Sequence, residues 1–117
     1  MKDFKKLLIW QKGMVLASEI YKASKFFPKE ELFGLRSQTT RAAVSIPANI
    51  AEGSAKKSQK EYKYFLEVSL GSAFELETHL LIAKGQNWFP EEIIDELLSK
   101  VTEEQRMLSS FMTKLET

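Results

Sequence analysis

Four segments of this chain repeat apolar or small residues mostly at spacings of three and four. In the first segment the repeat consists of Ile9, Gly13, Leu16, Ile20, Ala23 and Phe27. Because an α-helix turns once every 3.6 residues, this spacing places all members on one helical face, which must be buried. No segment shows the strict alternation that is typical of a half-buried β-strand. The sequence therefore predicts an all-α fold.

The other three segments have the same periodicity. Their repeats are Leu32, Leu35, Thr39, Ala42, Ile46, Ile50 and Gly53; Tyr62, Leu66, Ser69, Ala73, Leu76, Leu80 and Ala83; and Ile94, Leu97, Val101, Leu108, Phe111 and Leu115. Helices of similar length with short connections favour an antiparallel up-down-up-down four-helix bundle. A chain of 117 residues has the size of one domain, so we predict a single bundle domain over residues 1–117.

Pro28 marks the predicted end of the first helix and the predicted start of the second. The first helix, about residues 3–26, should end at Phe27 because the residue before a proline disfavours the α conformation. Pro28 suits the first position of the second helix, where its missing N–H removes no intrahelical bond. Pro47 lies inside that helix, where we expect a bend and no stop.

The remaining helix boundaries are marked by other residue patterns. Residues 53–57 are predicted to form a turn, and Ser58-Gln59-Lys60-Glu61 matches the capping box that opens a helix. Gly85 suits the left-handed conformation that ends the third helix. The fourth helix should begin at Pro90, in the way that Pro28 begins the second.

The composition offers little for catalysis or for a cofactor. The chain has no cysteine and one histidine, His79, which follows Glu75 by four residues and Glu77 by two. Di-metal bundles need Glu-x-x-His pairs on two helices, so we interpret these three as surface or hydrogen-bonding groups. Neither a nucleophile elbow nor a phosphate-binding glycine loop occurs. We therefore expect no enzyme activity, no metal and no cofactor.

The sequence also lacks a targeting or membrane segment. The apolar run at residues 7–10 is too short for an export signal or a bilayer span. We expect a cytoplasmic protein that does not bind membranes.

Charge is distributed unevenly along the chain. Residues 1–64 contain thirteen Lys or Arg and six Asp or Glu, whereas residues 65–117 contain four and ten. Basic side chains interleaved with aromatic ones, here Tyr62 and Tyr64, can grip phosphates and stack bases. The candidate nucleic-acid contacts are Arg36, Arg41, Lys56, Lys57, Lys60 and Lys63. The alternative is that the two halves simply present solvated faces of opposite sign.

Two further features leave alternatives open. The second helix is rich in small and polar residues, among them Gln38, Ser45 and Asn49, which either bond neighbouring helices or lie at a subunit interface. The aromatic side chains near helix ends either anchor a partner protein or cover the ends of the core; they are Trp10, Trp88 and Phe89. A subunit interface on the second helix, or aromatic side chains that anchor a partner, would give an alternative function, an oligomeric protein-binding scaffold or adaptor.

One long motif resembles a known family. Residues 27–38, FPKEELFGLRSQ, continue into residues 41–53, RAAVSIPANIAEG, and are similar to the four-helix bundle family encoded in intervening sequences of bacterial 23S rRNA genes. Residues 8–12 and 60–66 also resemble it, so the similarity covers essentially the whole chain. Members often have two arginines where this chain has Thr40 and Arg41.

The resemblance implies an antiparallel four-helix bundle that assembles into a ring-like homopentamer. The family is similar to the accessory protein of diversity-generating retroelements, a basic pentamer that binds nucleic acid and a reverse transcriptase. No catalytic residues are implied. The expected partners are therefore further copies of this chain, RNA or DNA, and a protein partner.

Overall fold

The computed structural model describes residues 3–115, which form four α-helices and no β-strand. The helices are α1 (Leu8–Ala23), α2 (Leu35–Ser54), α3 (Gln59–Gly85) and α4 (Glu91–Leu115). Each helix packs beside the next one, and α1 also packs against α4, so α1 and α3 occupy diagonal corners. The bundle measures 43 × 24 × 20 Å. The predicted all-α antiparallel four-helix bundle is confirmed.

The repeated apolar positions form one continuous core. On α3 the predicted stripe is fully buried, from Tyr62 to Ala83, and it faces α2 and α4. One predicted member of the second stripe is wrong: Leu32 lies before α2 and is exposed. None of the helices within residues 3–115 combines the length and apolarity that a membrane crossing requires.

The first two helices begin later than predicted. Residues Phe4–Lys6 form a separate 3₁₀ turn, capped by Asp3, whose Oδ1 accepts the Lys5 N–H at 3.2 Å. Pro28 precedes another 3₁₀ turn, Lys29–Glu31, and does not open α2. Glu31 Oε1 instead accepts the Leu35 N–H at 2.9 Å. This carboxylate satisfies a free donor at the start of α2, which fixes the helix start there.

The end of α2 also differs from the prediction. The helix continues through the buried Pro47, as expected, and extends to Ser54, so Gly53 is helical. A Cβ atom at Gly53 would lie 2.9 Å from Phe65 Cβ and 3.1 Å from Tyr62 Cδ1. Glycine is needed here because the end of α2 approaches the start of α3 too closely for a side chain.

Both ends of α3 show side-chain or backbone capping. Ser58 Oγ accepts the Glu61 N–H at 3.1 Å, which confirms the predicted cap. The predicted left-handed residue is wrong: Asn87 has φ 60° and no glycine among the described residues has positive φ. The Trp88 N–H reaches the Ala83 carbonyl at 3.2 Å, the bond of a Schellman motif. Asparagine tolerates this conformation, and helical turns continue past Gly85 before the chain reverses.

Gly53 gives a direct test of this close approach. Gly53→Ala should lower the free energy of unfolding by about 1–3 kcal/mol, because the new methyl group overlaps Tyr62 and Phe65. Gly71→Ala is the matched control, since nothing lies within 4 Å of its added Cβ and alanine favours helix. Urea unfolding measures both variants. A Gly53→Ala variant that is as stable as the Gly71→Ala variant would contradict the structure.

One acid is buried in the core. Glu104 of α4 is 1% exposed, and neither carboxyl oxygen has a hydrogen-bond partner. A Cβ atom added to Gly13 of α1 would lie 3.2 Å from Glu104 Oε2 and 3.5 Å from Pro47 Cβ, so α1, α2 and α4 meet at this level. Burial, reinforced by the nearby charge of Glu103, raises the pKa of Glu104 to about 8.

The raised pKa of Glu104 predicts a pH dependence of stability. The native carboxyl keeps its proton up to about pH 8, whereas the unfolded one loses it near pH 4.5. Stability should therefore fall as pH rises through this window, by about 3 kcal/mol at pH 7. Glu104→Gln should remove the fall, and Glu92→Gln, an exposed glutamate of the same helix, should leave it unchanged. Denaturant unfolding from pH 5 to 9 measures this, and parallel curves for Glu104→Gln and the unmutated chain would contradict it.

Candidate nucleic-acid interface

The six basic candidates lie in two separate groups. Lys56, Lys57, Lys60 and Lys63 come together where α2 ends and α3 begins. Arg36 is in the first turn of α2, about 30 Å from Lys56 along the helix axis, and Arg41 is about 22 Å away. The candidates therefore do not form one continuous patch.

Three lysines that the sequence reasoning missed lie with the first group. The start of α1 and the end of α4 are at this same end of the antiparallel bundle, and Leu115 shares a surface depression with Lys60 and Lys63. We call the resulting group the lysine end; it consists of Lys5, Lys6, Lys56, Lys57, Lys60, Lys63 and Lys114. These residues are far apart in sequence, so only the antiparallel order of the helices could have predicted that they lie together.

Five of the seven lysines at the lysine end form no ion pair with a described residue. Elsewhere lysines form ion pairs, as in Lys12 with Glu103 at 3.0 Å and Lys84 with Asp95 at 2.7 Å. Within residues 3–115, no carboxylate lies within ion-pairing distance of Lys5, Lys6, Lys56, Lys57 or Lys60. Among residues 3–115, the acids nearest this end are Asp3, Glu52 and Glu61, and Asp3 and Glu61 serve in helix capping.

An aromatic cluster borders the lysine end. The Lys56 Nζ lies 4.9 Å from the centre of the Phe65 ring, and the exposed Tyr64 ring packs edge-on against Phe65 at 5.3 Å. Tyr62, in contrast, is 1% exposed and belongs to the core, so its predicted contribution to base stacking is wrong. Tyr64 and Phe65 remain as surfaces on which a base can stack.

Arg41 lies in a different place, a groove between α2 and α3. Its lining consists of Gln38, Arg41, Ala42, Ser45, Ser72 and Glu75, and we call it the α2–α3 groove. Ser45 Oγ and Ser72 Oγ are 2.8 Å apart across the helices. Asn49 Nδ2 donates to the Ser45 hydroxyl at 2.8 Å within α2. Ser45 thus bonds across to α3 and Asn49 bonds within α2, whereas Gln38 is exposed and its side chain has no hydrogen-bond partner within residues 3–115.

The acids around His79 do not form a reactive cluster. His79 is buried, which lowers its pKa, and its Nε2 lies 3.7 Å from Glu75 Oε2. Glu77 accepts a hydrogen bond from Gln105 at 2.8 Å. Among the described residues, no group of three or more acid or histidine side chains is placed to hold a metal ion.

The aromatic residues near the helix ends pack against the core. Trp10 lies edge-on against Phe4, and Phe27 contacts both Trp88 and Phe89. Trp10 and Trp88 are partly buried, and Phe89 is buried. These residues therefore cover the two ends of the bundle core, the second of the two alternatives.

Comparisons with known proteins agree with this architecture. A crystal structure of a protein with unknown function from the S23 ribosomal protein family of Bacteroides thetaiotaomicron has a TM-score of 0.84. It is 24% identical, and the match covers 90% of this chain and 98% of that one, which shows a shared fold. No curated protein matches. The family model described as 23S rRNA-intervening sequence protein matches residues 5–110, and the chain therefore belongs to that family.

Proposed function

We propose that this protein is a non-enzymatic, cytoplasmic homo-oligomer that associates with RNA through its lysine end. The observation that carries the proposal is the set of five lysines without ion pairs beside an exposed aromatic cluster. Phosphate neutralisation by lysine releases counterions and supplies most of the non-specific affinity for nucleic acid. The net charge of +1 does not oppose this, because the Debye length of about 8 Å makes the local charge decisive.

Oligomerisation is supported by two apolar faces on opposite sides of the bundle. The outer face of α1 exposes Leu8, Met14, Val15 and Tyr21, and the outer face of α3 exposes Tyr64, Phe74, Leu81 and Ile82. Single exposed apolar residues are ordinary, but rows at seven-residue intervals such as Phe74 and Leu81 suit helix packing.

The diagonal placement of these faces favours a head-to-tail contact. The α1 face of one copy would pack against the α3 face of the next, and such a contact forms a ring when its rotation closes. The family resemblance gives five as the number of subunits that we propose.

The lysine end predicts salt-dependent RNA binding. Fluorescence anisotropy with a single-stranded RNA should show affinity that drops steeply between about 50 and 200 mM salt. A triple variant, Lys56→Gln, Lys57→Gln and Lys60→Gln, should flatten the slope of log K against log salt by about 2, because each lost phosphate contact removes about 0.7.

The matched control removes three exposed lysines from the opposite end of the bundle, Lys22, Lys25 and Lys29. It has the same net charge as the test variant and should keep most of the affinity and slope. Equal losses in both variants would show that only net charge matters. Absence of RNA binding at about 50 mM salt would remove the proposal.

The apolar faces predict the effect of single charges on assembly. Phe74→Asp on α3 or Val15→Asp on α1 should each shift the mass measured by light scattering toward the monomer. Each change places a charge in one of the two apolar faces that meet in a head-to-tail contact. Thr113→Asp, an exposed change on α4, is the control. Circular dichroism should show unchanged helix content. A monomeric unmutated chain, or assembly that survives both changes, would contradict this part of the proposal.

A second candidate function is an oligomeric scaffold that recruits a protein. The observation that favours it is Phe33, whose side chain is 93% exposed in the connection before α2, at the end opposite to the lysine end. Aromatic side chains are typical anchors of interfaces. Partners that resist nuclease treatment and are lost with Phe33→Ser would favour this function over RNA association.

A further inference from the structure

The α2–α3 groove collects polar groups that the bundle itself does not use. Its volume is about 330 Å³, within the range of small-ligand sites. Within residues 3–115, the side chains of Gln38 and Arg41 have no hydrogen-bond partner. Within the same residues, the ion-pair partner of Glu75 is His79, whose Nε2 lies 3.7 Å from Glu75 Oε2. Arg41 and Glu75 do not pair with each other, so the groove holds a positive donor and a negative acceptor apart.

A chain of hydroxyl groups adds a donor between these charges. Asn49 donates to the Ser45 oxygen at 2.8 Å, and either hydroxyl of the Ser45–Ser72 pair, 2.8 Å apart, can donate to the other. When Ser45 donates, the hydrogen of Ser72 has no acceptor among the described residues and can be offered to a ligand. The groove then presents donors from Arg41 and Ser72 and an acceptor pair from Glu75.

This arrangement matches one nucleic-acid base better than the others. Guanine carries two acceptors, O6 and N7, of the kind that arginine binds with two hydrogen bonds. Its Watson–Crick edge carries the N1 and N2 donors, which a carboxylate can accept together. Uracil lacks this pair of donors, and adenine lacks both O6 and the N2 amine. An unpaired base is also the part of RNA that proteins read by sequence.

We infer that the α2–α3 groove binds a guanine base, with Arg41 donating to O6 and N7 and Glu75 accepting from N1 and N2. This inference rests on the proposed function in one respect: RNA association would supply the base, as an unpaired guanosine. Arg41 lies about 22 Å from Lys56 along α2, so one single strand can contact both the lysine end and the groove.

The test uses single-stranded oligomers of twelve uridines, with or without one central guanosine, at fixed salt. The guanosine oligomer should bind about tenfold more tightly. Inosine in place of guanosine removes the N2 amine, and 7-deazaguanosine removes N7, so each should lose a measurable part of that preference. Glu75→Gln should bind guanosine and inosine oligomers equally, because an amide offers only one acceptor oxygen. Glu67→Gln, an exposed acid of α3 outside the groove, should keep the preference.

A second arm separates the groove from RNA association. Guanosine monophosphate should perturb NMR signals of Ser72 and Arg41 more than uridine monophosphate does, and Glu75→Gln should abolish the difference. Equal affinity for both oligomers, with no selective effect of guanosine monophosphate, overturns the groove proposal and leaves RNA association standing. Binding of the mononucleotide without binding of either oligomer keeps the groove and removes RNA as the source of the base. No binding in either arm removes both proposals.

Discussion

The close approach of α2 and α3 is the constraint on which the other features of this bundle depend. Where the two helices meet, α2 presents Ala42, Ala43 and Gly53, and α3 presents Ser69 and Ala73, all buried. The Ser69 hydroxyl donates to the Ile46 carbonyl at 2.9 Å, so a buried polar group is satisfied without a larger side chain. Because small residues fill the contact, the longer polar side chains are left at its rim, where they line the groove.

The sequence predicted the interior of the fold better than its boundaries. The α3 stripe from Tyr62 to Ala83 follows a periodicity that only a helix buries, so its location could be deduced from spacing alone. The start of α2 could not. Pro28 with two following glutamates resembles a helix start, but the acceptor for the Leu35 N–H is Glu31, and that choice depends on a turn whose geometry no local pattern specifies.

The candidate site was predictable only in part, for a physical reason. Lys60 and Lys63 are one helical turn apart, so their proximity follows from the sequence. Lys5 and Lys114 join them only because four helices alternate in direction, and Arg36 is separated from them by the length of α2. The burial of Glu104 also depends on a neighbouring helix. Gly13 of α1 leaves room for its carboxyl group in the core, and the sequence of α4 alone does not indicate this.

The positions of α1 and α3 at diagonal corners have a consequence for symmetry. Both helices run in the same direction, so copies joined α1-to-α3 around an axis along the bundle would keep the same orientation. Every lysine end would then point to one side of the ring, and every Phe33 to the other. One rim would concentrate positive charge from all subunits, so that a single strand could contact several of them at once and gain avidity. The opposite rim would stay free for a different kind of molecule.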